Sequence, residues 1–307
     1  MTIFTVQDID IVYLSYDEPN SEANWHHLLS ICPRAQRIHG VKGSDAAHKA
    51  CADITEGTHM ITVDGDNQIR PEFLEQTWSF DDTWDLEHSV LSFPSRNAVN
   101  GLCYGNGGIK IWPRAVVHAM QTHEAVASDA QGASVDFCWV LDYVLMPGVW
   151  SQALINHTPH QAWRAGFREG VKLSLVNGSL IQDPEQWRAS MAKNNMDRLL
   201  TWLQVGMDQY NGFYSILGAR QGLRRCLLTD WDHTRVQDFD YLDSLWEREV
   251  EGQNWPKLWD MMRNTGAELK DQLALAVEAE PFTVAQSEWF KSVFRHPERL
   301  EPRRLRS

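Results

Sequence analysis

Several features that are common in secreted, membrane and zinc-binding proteins are missing from this sequence. Its five cysteines are scattered from Cys32 to Cys226, and no two stand in a CxxC spacing. They predict neither a disulfide framework nor a zinc site, and reduced surroundings suit them best. No apolar stretch approaches the roughly 20 residues that cross a bilayer. The N-terminus lacks a basic segment followed by an apolar one, so we expect no signal peptide and a cytoplasmic location.

Positive charge is also scarce. Lys and Arg number 28 against 41 Asp and Glu, which gives a formal net charge of −13. A protein that binds mainly to phosphate backbones usually carries net positive charge or a clear basic stripe. The net negative charge does not indicate a nucleic-acid partner. It does not exclude one either, because a local basic patch can bind nucleic acid on a protein that is acidic as a whole. The Arg-rich segment 295–307 predicts a solvated end, with a short arm for an anionic partner as the alternative.

The first half of the chain alternates strand and helix patterns. Strands are predicted for "DIDIVYLSY", "AQRIHGV" and "HMITV", and helices for "SEANWHHLLSIC", with Ser21 as its cap, and "SDAAHKACADIT". This order is typical of βαβ units and a mainly parallel sheet. The later segments carry helical spacing, with many of the fourteen Trp among them. We therefore predict an α/β domain over 1–176 and a helical region over 177–307, which offers a surface for oligomer formation.

The stretch "HMITVDGDNQI" places Asp64 and Asp66 after a predicted buried strand. Residues two apart in extended backbone point the same way, and two such carboxylates repel unless a cation neutralises them. Their oxygen atoms suit Mg²⁺ or Mn²⁺. Taken alone, the motif is more typical of an Asx turn. Its place at the carboxyl end of a predicted parallel strand, where α/β sheets carry their sites, favours the metal site.

A Gly-rich segment lies further along the chain. We predict a strand to Phe93, a turn, a loop containing Gly105–Gly108, a short strand over Ile109–Trp112 and a helix opened by Pro113. The glycines favour positive φ angles or a close backbone approach to a ligand. Their spacing fits neither GxGxxG nor a Walker loop, so the evidence for a standard dinucleotide site or P-loop is weak.

In order and spacing these motifs resemble the GT-A glycosyltransferases, particularly the family-two-like group, over about the first 170 residues. "LSYDEPN" resembles that group's nucleotide-holding loop after the first strand, "VKGSDAAHKA" resembles its segment after the second strand, and "ITVDGDNQI" supplies the aspartate pair. The resemblance implies a Rossmann-like GT-A fold. It also implies transfer of a sugar from a nucleotide diphosphate sugar, with a UDP-sugar favoured, to an acceptor hydroxyl. That acceptor is a glycan, a small molecule or a modified nucleic acid of the kind some phages carry.

The resemblance further implies roles for individual residues. Asp66 holds Mn²⁺ or Mg²⁺, Asp64 divides its contacts between ribose and the metal shell, and His157 is a third metal ligand. The nucleotide and its diphosphate contact residues from three segments, namely Ser15, Tyr16, Asp17, Glu18, Lys42, Arg164 and Arg168. Each of these residues also has a simple structural role as the alternative. Tyr16 would be a core aromatic residue, and the basic side chains would lie on solvent-exposed faces.

The catalytic base is less well defined by the sequence. The family places an acidic pair at the start of a helix, and the nearest candidate is Asp136 in "GASVDFCW", with Asp129 as the reserve. No Glu precedes Asp136, so the base and the stereochemical course stay open. A nucleotidyltransferase is the nearest alternative enzyme, although it usually has a basic Gly-rich loop where "SYDEPN" is acidic. The alternative from another class is a non-catalytic binding or structural module.

Overall fold

A computed structural model describes residues 1–120, 142–294 and 300–304, with the backbone alone at Gly105 and Asn106. Its strands are β1 Thr2–Thr5, β2 Asp10–Ser15, β3 Gln36–His39, β4 His59–Asp64, β5 Asn67–Ile69, β6 Thr77–Phe80, β7 Ser89–Asn97, β8 Cys103–Pro113, β9 Asp142–Leu145, β10 Ser151–Ala153 and β11 Arg303–Arg304. Its α-helices are α1 Ser21–Ile31, α2 Ser44–Asp53, α3 Arg114–Ala119, α4 Pro159–Ser174, α5 Pro184–Ser190, α6 Lys193–Trp202, α7 Gly212–Leu228, α8 Phe239–Glu249, α9 Trp255–Leu273 and α10 Val284–Val293. None of the helices in these ranges is both long and apolar enough to cross a membrane.

Nine of the described strands form one mixed sheet. The main order is β11-β9-β7-β8-β4-β2-β3, and β10 and β5 join beside β7. β2 is parallel to both β3 and β4, whereas β8 is antiparallel to both β4 and β7. The sheet is therefore mixed and not mainly parallel as predicted, although β7 is parallel to β9 and β10. Helical crossovers join β2, β3 and β4, but a turn of only five residues, 98–102, joins β7 to β8 and makes them antiparallel. The α/β class and the helical second region are confirmed.

The Gly-rich segment predicted as a loop lies inside β8. A Cβ atom at Gly107 would overlap the carbonyl of Phe93 on β7, and one at Gly108 would overlap the side chain of Asn67. The β7–β8 register shifts between Phe93 and Ser95, which marks an irregularity opposite the glycines. The glycines thus permit a close approach of strands. The predicted helix after Pro113 is present as α3, which begins at Arg114.

Strand β4 is buried on both faces, which explains its continuous apolar sequence. Ile61 and Val63 pack in a cluster with Ile11. Met60 points the other way and packs with Val12. The predicted helices on either side of β3 are confirmed as α1 and α2. Because apolar packing holds both faces of β4, its polar end is fixed at the edge of the sheet.

Helices α4 and α7 form the closest helix pair of the second half. A Cβ atom at Gly166 or Gly170 of α4 would overlap the α7 backbone, and one at Gly218 or Gly222 of α7 would overlap the α4 backbone. Close-packed interiors do not yield to such added volume. The predicted boundary at residue 176 stays a prediction, and α4, which precedes it, packs against a helix that follows it.

Arg220 of α7 is completely buried and joins distant parts of the helical region. Its guanidinium donates to the carbonyl oxygens of Leu203, Met262, Glu278 and Ala279. Burial lowers the pKa of this side chain to about 10. Four carbonyl acceptors offset the cost of burying the charge and tie the end of α6 to α9 and to the segment after α9.

Candidate active site

A cavity of about 590 Å³ lies between the sheet and the helices α4 and α6. The sheet contributes polar side chains from the ends of β4, β5, β7 and β8, and the helices contribute a basic and aromatic wall. Among the described residues, the charged side chains that line it are Asp64, Asp66, Lys110, Arg168, Glu169, Lys172 and Arg198. Acidic and basic groups therefore meet in one cavity, which is the arrangement expected for a polar ligand with several charges.

Asp64 stands at the last position of β4, where the strand reaches the cavity. Its Oδ2 lies 3.6 Å from Nζ of Lys110, a β8 side chain that is 7% exposed. The same ammonium donates to the carbonyl of Gly107 at 3.0 Å. A lysine this deeply buried needs such partners, so Lys110 and Asp64 stabilise each other at the cavity wall.

Asp66 is held more tightly than Asp64. Its Oδ1 accepts from Nδ2 of Asn67 at 2.6 Å, and Oδ1 of Asn67 accepts from Oγ of Ser95 at 2.8 Å. Its carbonyl accepts from the backbone N–H of Leu154 at 2.7 Å. Burial, followed by the charge of Asp64, raises the pKa of the Asp66 carboxyl to about 6, although the bond from Asn67 acts in the other direction. Such a carboxyl gains from a nearby cation.

The turn between the two aspartates is held in place by side chains from β2 and α1. The carbonyl of Gly65 lies 2.6 Å from the hydroxyl of Tyr13 and accepts from Nδ2 of Asn24 at 2.9 Å. A Cβ atom at Gly65 would lie 2.6 Å from Oε2 of Glu18. The loops after β2 and β4 therefore lie side by side on one edge of the sheet, as their parallel order predicts.

In the loop after β2, Glu18 lies against Gly65 of the aspartate turn, although it does not line the cavity. Oε2 of Glu18 accepts from the backbone N–H of Tyr16 at 2.8 Å. Burial raises the pKa of Glu18, and the charges of Asp17 and Asp64 add to this rise. Tyr16, Asp17 and the distant Lys42 are exposed and do not line the cavity.

Ser15 is buried and engaged in hydrogen bonds away from the cavity. Its Oγ lies 3.0 Å from Nδ1 of His39 and accepts from Nε of Arg37 at 3.2 Å. Of the residues predicted to contact the nucleotide, Asp64 and Arg168 line the cavity, whereas the others in the loop after β2 and after β3 do not, namely Ser15, Tyr16, Asp17, Glu18 and Lys42.

Only one of the two predicted arginines on α4 lines the cavity. Arg168 does so, and its buried Nε has no hydrogen-bond acceptor among the described residues. Burial lowers its pKa, while the charges of Glu169 and Asp66 act to raise it. Arg164 lies 3.4 Å from Oδ1 of Asp243 and is not among the lining residues. Both guanidinium groups lie over the ring of Phe239, each at 4.8 Å.

The predicted third metal ligand, His157, is not among the residues that line the cavity. His157 is exposed in the loop before α4, and its backbone N–H donates to Oε1 of Gln161 at 2.9 Å. Within the described residues, no group of three or more His, Cys, Asp and Glu side chains is arranged to hold a metal ion. The predicted bases Asp129 and Asp136 lie outside the described residues.

Apart from Arg168, the sequence motifs predict no function for the helical wall of the cavity, which is formed by α4, α6 and Tyr104 of β8. Tyr104 donates its hydroxyl proton to Oε2 of Glu169 and accepts from Nε1 of Trp202 at 2.6 Å. The guanidinium of Arg198 lies 4.6 Å from the centre of the Tyr104 ring. Nothing local in the sequence marks these four residues as neighbours. Lys110 did carry a signal, since it is a single charge inside the apolar strand "GIKIW".

A side-chain network positions the α4 end of the cavity against the aspartate turn. Nδ2 of Asn20 donates to the carbonyl of Leu154 at 2.8 Å, and its Oδ1 accepts from Nε2 of Gln161 at 3.1 Å. Asn20 makes no side-chain capping bond to α1, because its amide is used here. The helix that carries Arg168 is thereby tied to the loop that follows β2.

Compared with protein-family models, with curated proteins and with solved structures, the chain matches none of them.

Proposed function

We propose that this chain is a metal-dependent glycosyltransferase that transfers a sugar from a nucleotide diphosphate sugar to an acceptor hydroxyl. The proposal depends on one observation. Asp64 and Asp66, at the end of a buried strand, share a cavity with Arg168, whose buried Nε has no acceptor among the described residues. Two carboxylates suit a divalent cation, and a guanidinium suits phosphate oxygens. A nucleotide diphosphate bound with its cation needs both.

The aspartate pair fits Mn²⁺ or Mg²⁺. The raised pKa of Asp66, about 6, reflects a buried carboxyl beside a second one, and an added positive charge relieves that repulsion. These ions keep part of their coordination shell for water and phosphate oxygens, so two protein carboxylates are a sufficient set. Asp66 would hold the ion together with Asp64. When bound, the ion supplies the charge that neutralises the departing diphosphate.

The chain's own side chains divide the remaining tasks. Asn67, held by Ser95, orients the carboxylate of Asp66, and Arg168 binds the diphosphate from the opposite wall. The nucleoside lies along the sheet edge beside the cavity. There the exposed ring of Tyr16 offers a stacking surface and the exposed carboxylate of Asp17 offers an acceptor for the ribose hydroxyls. The GT-A fold is part of this proposal, supported by the parallel strands β3, β2 and β4.

The test is a thermal-shift panel of UDP-glucose, UDP-galactose and UDP-N-acetylglucosamine, with and without Mn²⁺. Linkage raises the free energy of unfolding by about 2.7 kcal/mol at a ligand concentration one hundred times Kd. We expect at least one donor to raise the melting temperature only when Mn²⁺ is present. Slow release of UDP from that donor, without release of the sugar 1-phosphate, distinguishes glycosyl transfer from nucleotidyl transfer, which cleaves the bond between the two phosphates.

Two variants make the panel specific for the site. Asp66→Asn keeps the shape of the side chain, removes its charge and is expected to abolish the metal-dependent shift. Asp53→Asn, at an α2 carboxylate that is 69% exposed, is the matched control and is expected to behave as wild type. A wild-type protein that no donor stabilises, or an equal shift in Asp66→Asn, contradicts the proposal.

A further inference from the structure

The helical wall contains a cluster of titratable groups that the proposed donor site does not use. Tyr104 comes from β8, Glu169 and Lys172 from α4, and Arg198 from α6, and all four line the cavity. Trp202 of α6 completes the cluster through its bond to the Tyr104 hydroxyl. Three elements far apart in the chain therefore place their polar groups in one space.

The direction of the hydrogen bonds in this cluster follows from the chemistry of the indole. A tryptophan N–H can only donate, so the Tyr104 oxygen accepts from Trp202 and its single proton points to Glu169. Burial and the charge of Glu169 raise the pKa of Tyr104 well above its ordinary value, which keeps that proton on the hydroxyl. Glu169 is thus fixed as an acceptor, with one oxygen bound to Tyr104 and a second oxygen available for other donors.

Arg198 belongs to the same cluster, because its guanidinium lies 4.6 Å from the centre of the Tyr104 ring and the Tyr104 hydroxyl is bonded to Glu169. Burial lowers the pKa of Arg198, so its partly desolvated guanidinium gains from an anion.

The helical wall of the cavity is more basic than the donor requires. Arg168, Lys172 and Arg198 line it with a single carboxylate, Glu169, among the described lining residues of α4 and α6. The diphosphate of the donor, with its cation at the aspartates, is served by Arg168. Lys172 and Arg198 add positive charge beyond that requirement.

We infer that the helical wall of the cavity binds an acceptor that carries a phosphate group, with Arg198 and Lys172 at the phosphate and Glu169 at a hydroxyl of the same molecule. The inference rests on the proposed function and extends it to the class of acceptor. Tyr104 and Trp202 are positioning residues that fix Glu169. Recognition takes place inside the cavity rather than along the surface, because a chain with net charge −13 repels a long polyanion.

The experiment measures acceptor binding while the donor site is occupied. Isothermal titration calorimetry is carried out with saturating UDP and Mn²⁺, and the probes are glucose 6-phosphate, thymidine 5′-monophosphate and a short single-stranded oligonucleotide. Glucose and thymidine are the uncharged counterparts. We expect at least one phosphate probe to bind about ten- to a hundredfold more tightly than its counterpart, as a charged hydrogen bond predicts. The probe that binds identifies the source of the phosphate.

Variants on α6 assign the effect to Arg198. Arg198→Gln is expected to remove the preference for phosphate and to leave the binding of UDP with Mn²⁺ unchanged. Arg198→Lys keeps the charge and is expected to retain most of the preference, which separates loss of charge from loss of packing against Tyr104. Lys193→Gln, at an 85% exposed lysine on the same helix, is the matched control.

The outcomes separate the two proposals. Failure of UDP and Mn²⁺ to bind the wild-type protein overturns the proposed function and this inference with it. Normal binding of UDP and Mn²⁺, combined with equal affinity for charged and uncharged probes, overturns this inference alone. An unchanged phosphate preference in Arg198→Gln overturns it as well.

Discussion

The two walls of the cavity hold their charged groups in different ways. On the sheet wall, Asp64 and Asp66 follow a strand buried on both faces, and the turn between them is fixed by bonds to the carbonyl of Gly65. On the helical wall, Glu169 and Arg198 are held by another side chain, through the hydroxyl and the ring of Tyr104. The turn of the sheet wall is thus fixed by side-chain bonds to a backbone carbonyl, whereas the charged groups of the helical wall are fixed by contacts between side chains.

Both walls also contain close contacts with a backbone glycine, and the two kinds of contact respond differently to substitution. Added volume at a close backbone contact disturbs whole elements, because the backbone cannot move aside locally. Removing one member of a side-chain network leaves its partners unpaired, but the surrounding helices stay in place. The four predictions below separate these responses, beginning with the largest.

The largest effect is expected where the helical wall depends on backbone packing. In Gly218→Ala, the new Cβ atom would overlap the carbonyl of Trp163, so α7 must separate from α4. We expect a loss of about 3 kcal/mol in the free energy of unfolding, measured by urea denaturation. The control is Gly57→Ala, where the nearest atom is the carbonyl oxygen of His59 at 3.3 Å. Equal losses in the two variants would show that the α4–α7 contact is not tight.

The next effect concerns the sheet wall. In Gly108→Ala, the Cβ atom would overlap the amide of Asn67, which must then leave its bonds to Asp66 and Ser95. We expect a loss of about 2 kcal/mol in stability and a weaker Mn²⁺-dependent thermal shift with UDP. A destabilised variant with unchanged Mn²⁺ affinity would show that Asn67 does not position Asp66.

A smaller effect is expected from the side-chain network of the helical wall. Tyr104→Phe leaves the buried Nε1 of Trp202 without its acceptor, which costs about 1–2 kcal/mol. Calorimetry is expected to show weaker binding of the phosphate probe and unchanged binding of UDP with Mn²⁺. Tyr210→Phe, at a tyrosine that is 75% exposed, is the control and is expected to change stability by less than about 0.5 kcal/mol. Equal weakening of both ligands would mean that the walls are not independent.

The smallest effect is the pH dependence of the sheet wall. Because the pKa of Asp66 is raised to about 6, its carboxyl is mostly protonated at pH 5.5 and ionised at pH 7.5. Metal binding needs the ionised form, so Mn²⁺ affinity is expected to fall about fourfold between pH 7.5 and pH 5.5. Calorimetry at both pH values measures the change, and Asp66→Asn is expected to remove it.

Without metal, the same group affects folding with the opposite sign. The folded-state pKa of Asp66 lies above its ordinary value of 3.8, so the folded protein holds this proton more firmly than the unfolded chain. Its contribution to stability is complete below the unfolded value and is lost as the pH rises through about 6. A rise in the contribution of Asp66 to stability over that range, taken from wild type minus Asp66→Asn, would contradict the assigned direction.

The sequence predicted the sheet wall better than the helical wall, and the reason is physical. Strand, helix and strand patterns are local, so β2, α1, β3, α2 and β4 were correctly placed, and so was the edge at which Asp64 and Asp66 emerge. The mainly parallel sheet was wrong because the pairing of β8 depends on a turn and on glycines inside a strand. Periodicity does not reveal that such glycines lie against a neighbouring strand.

The helical wall depends on contacts that no local pattern encodes. Tyr104 meets Glu169 across 65 positions and Trp202 across 98 positions of the chain. Likewise, the i, i+4 spacing of Arg164 and Arg168 predicted a common face but not that Asp243 would engage only the first. The spacing of residues on a helix predicts which side chains share a face. The partner of each side chain belongs to another element and is not predicted by that spacing.

The buried Arg220 affects the order in which parts of the structure form while the chain is being synthesised. The strands that carry the aspartates leave the ribosome early, and domains generally fold from the N-terminus onward. Two of the four carbonyl acceptors of Arg220 belong to Glu278 and Ala279, near the end of the chain. Until those residues emerge, the guanidinium that ties the end of α6 lacks half of its partners. The wall that carries Arg198 is therefore the last part of the cavity to reach its final form.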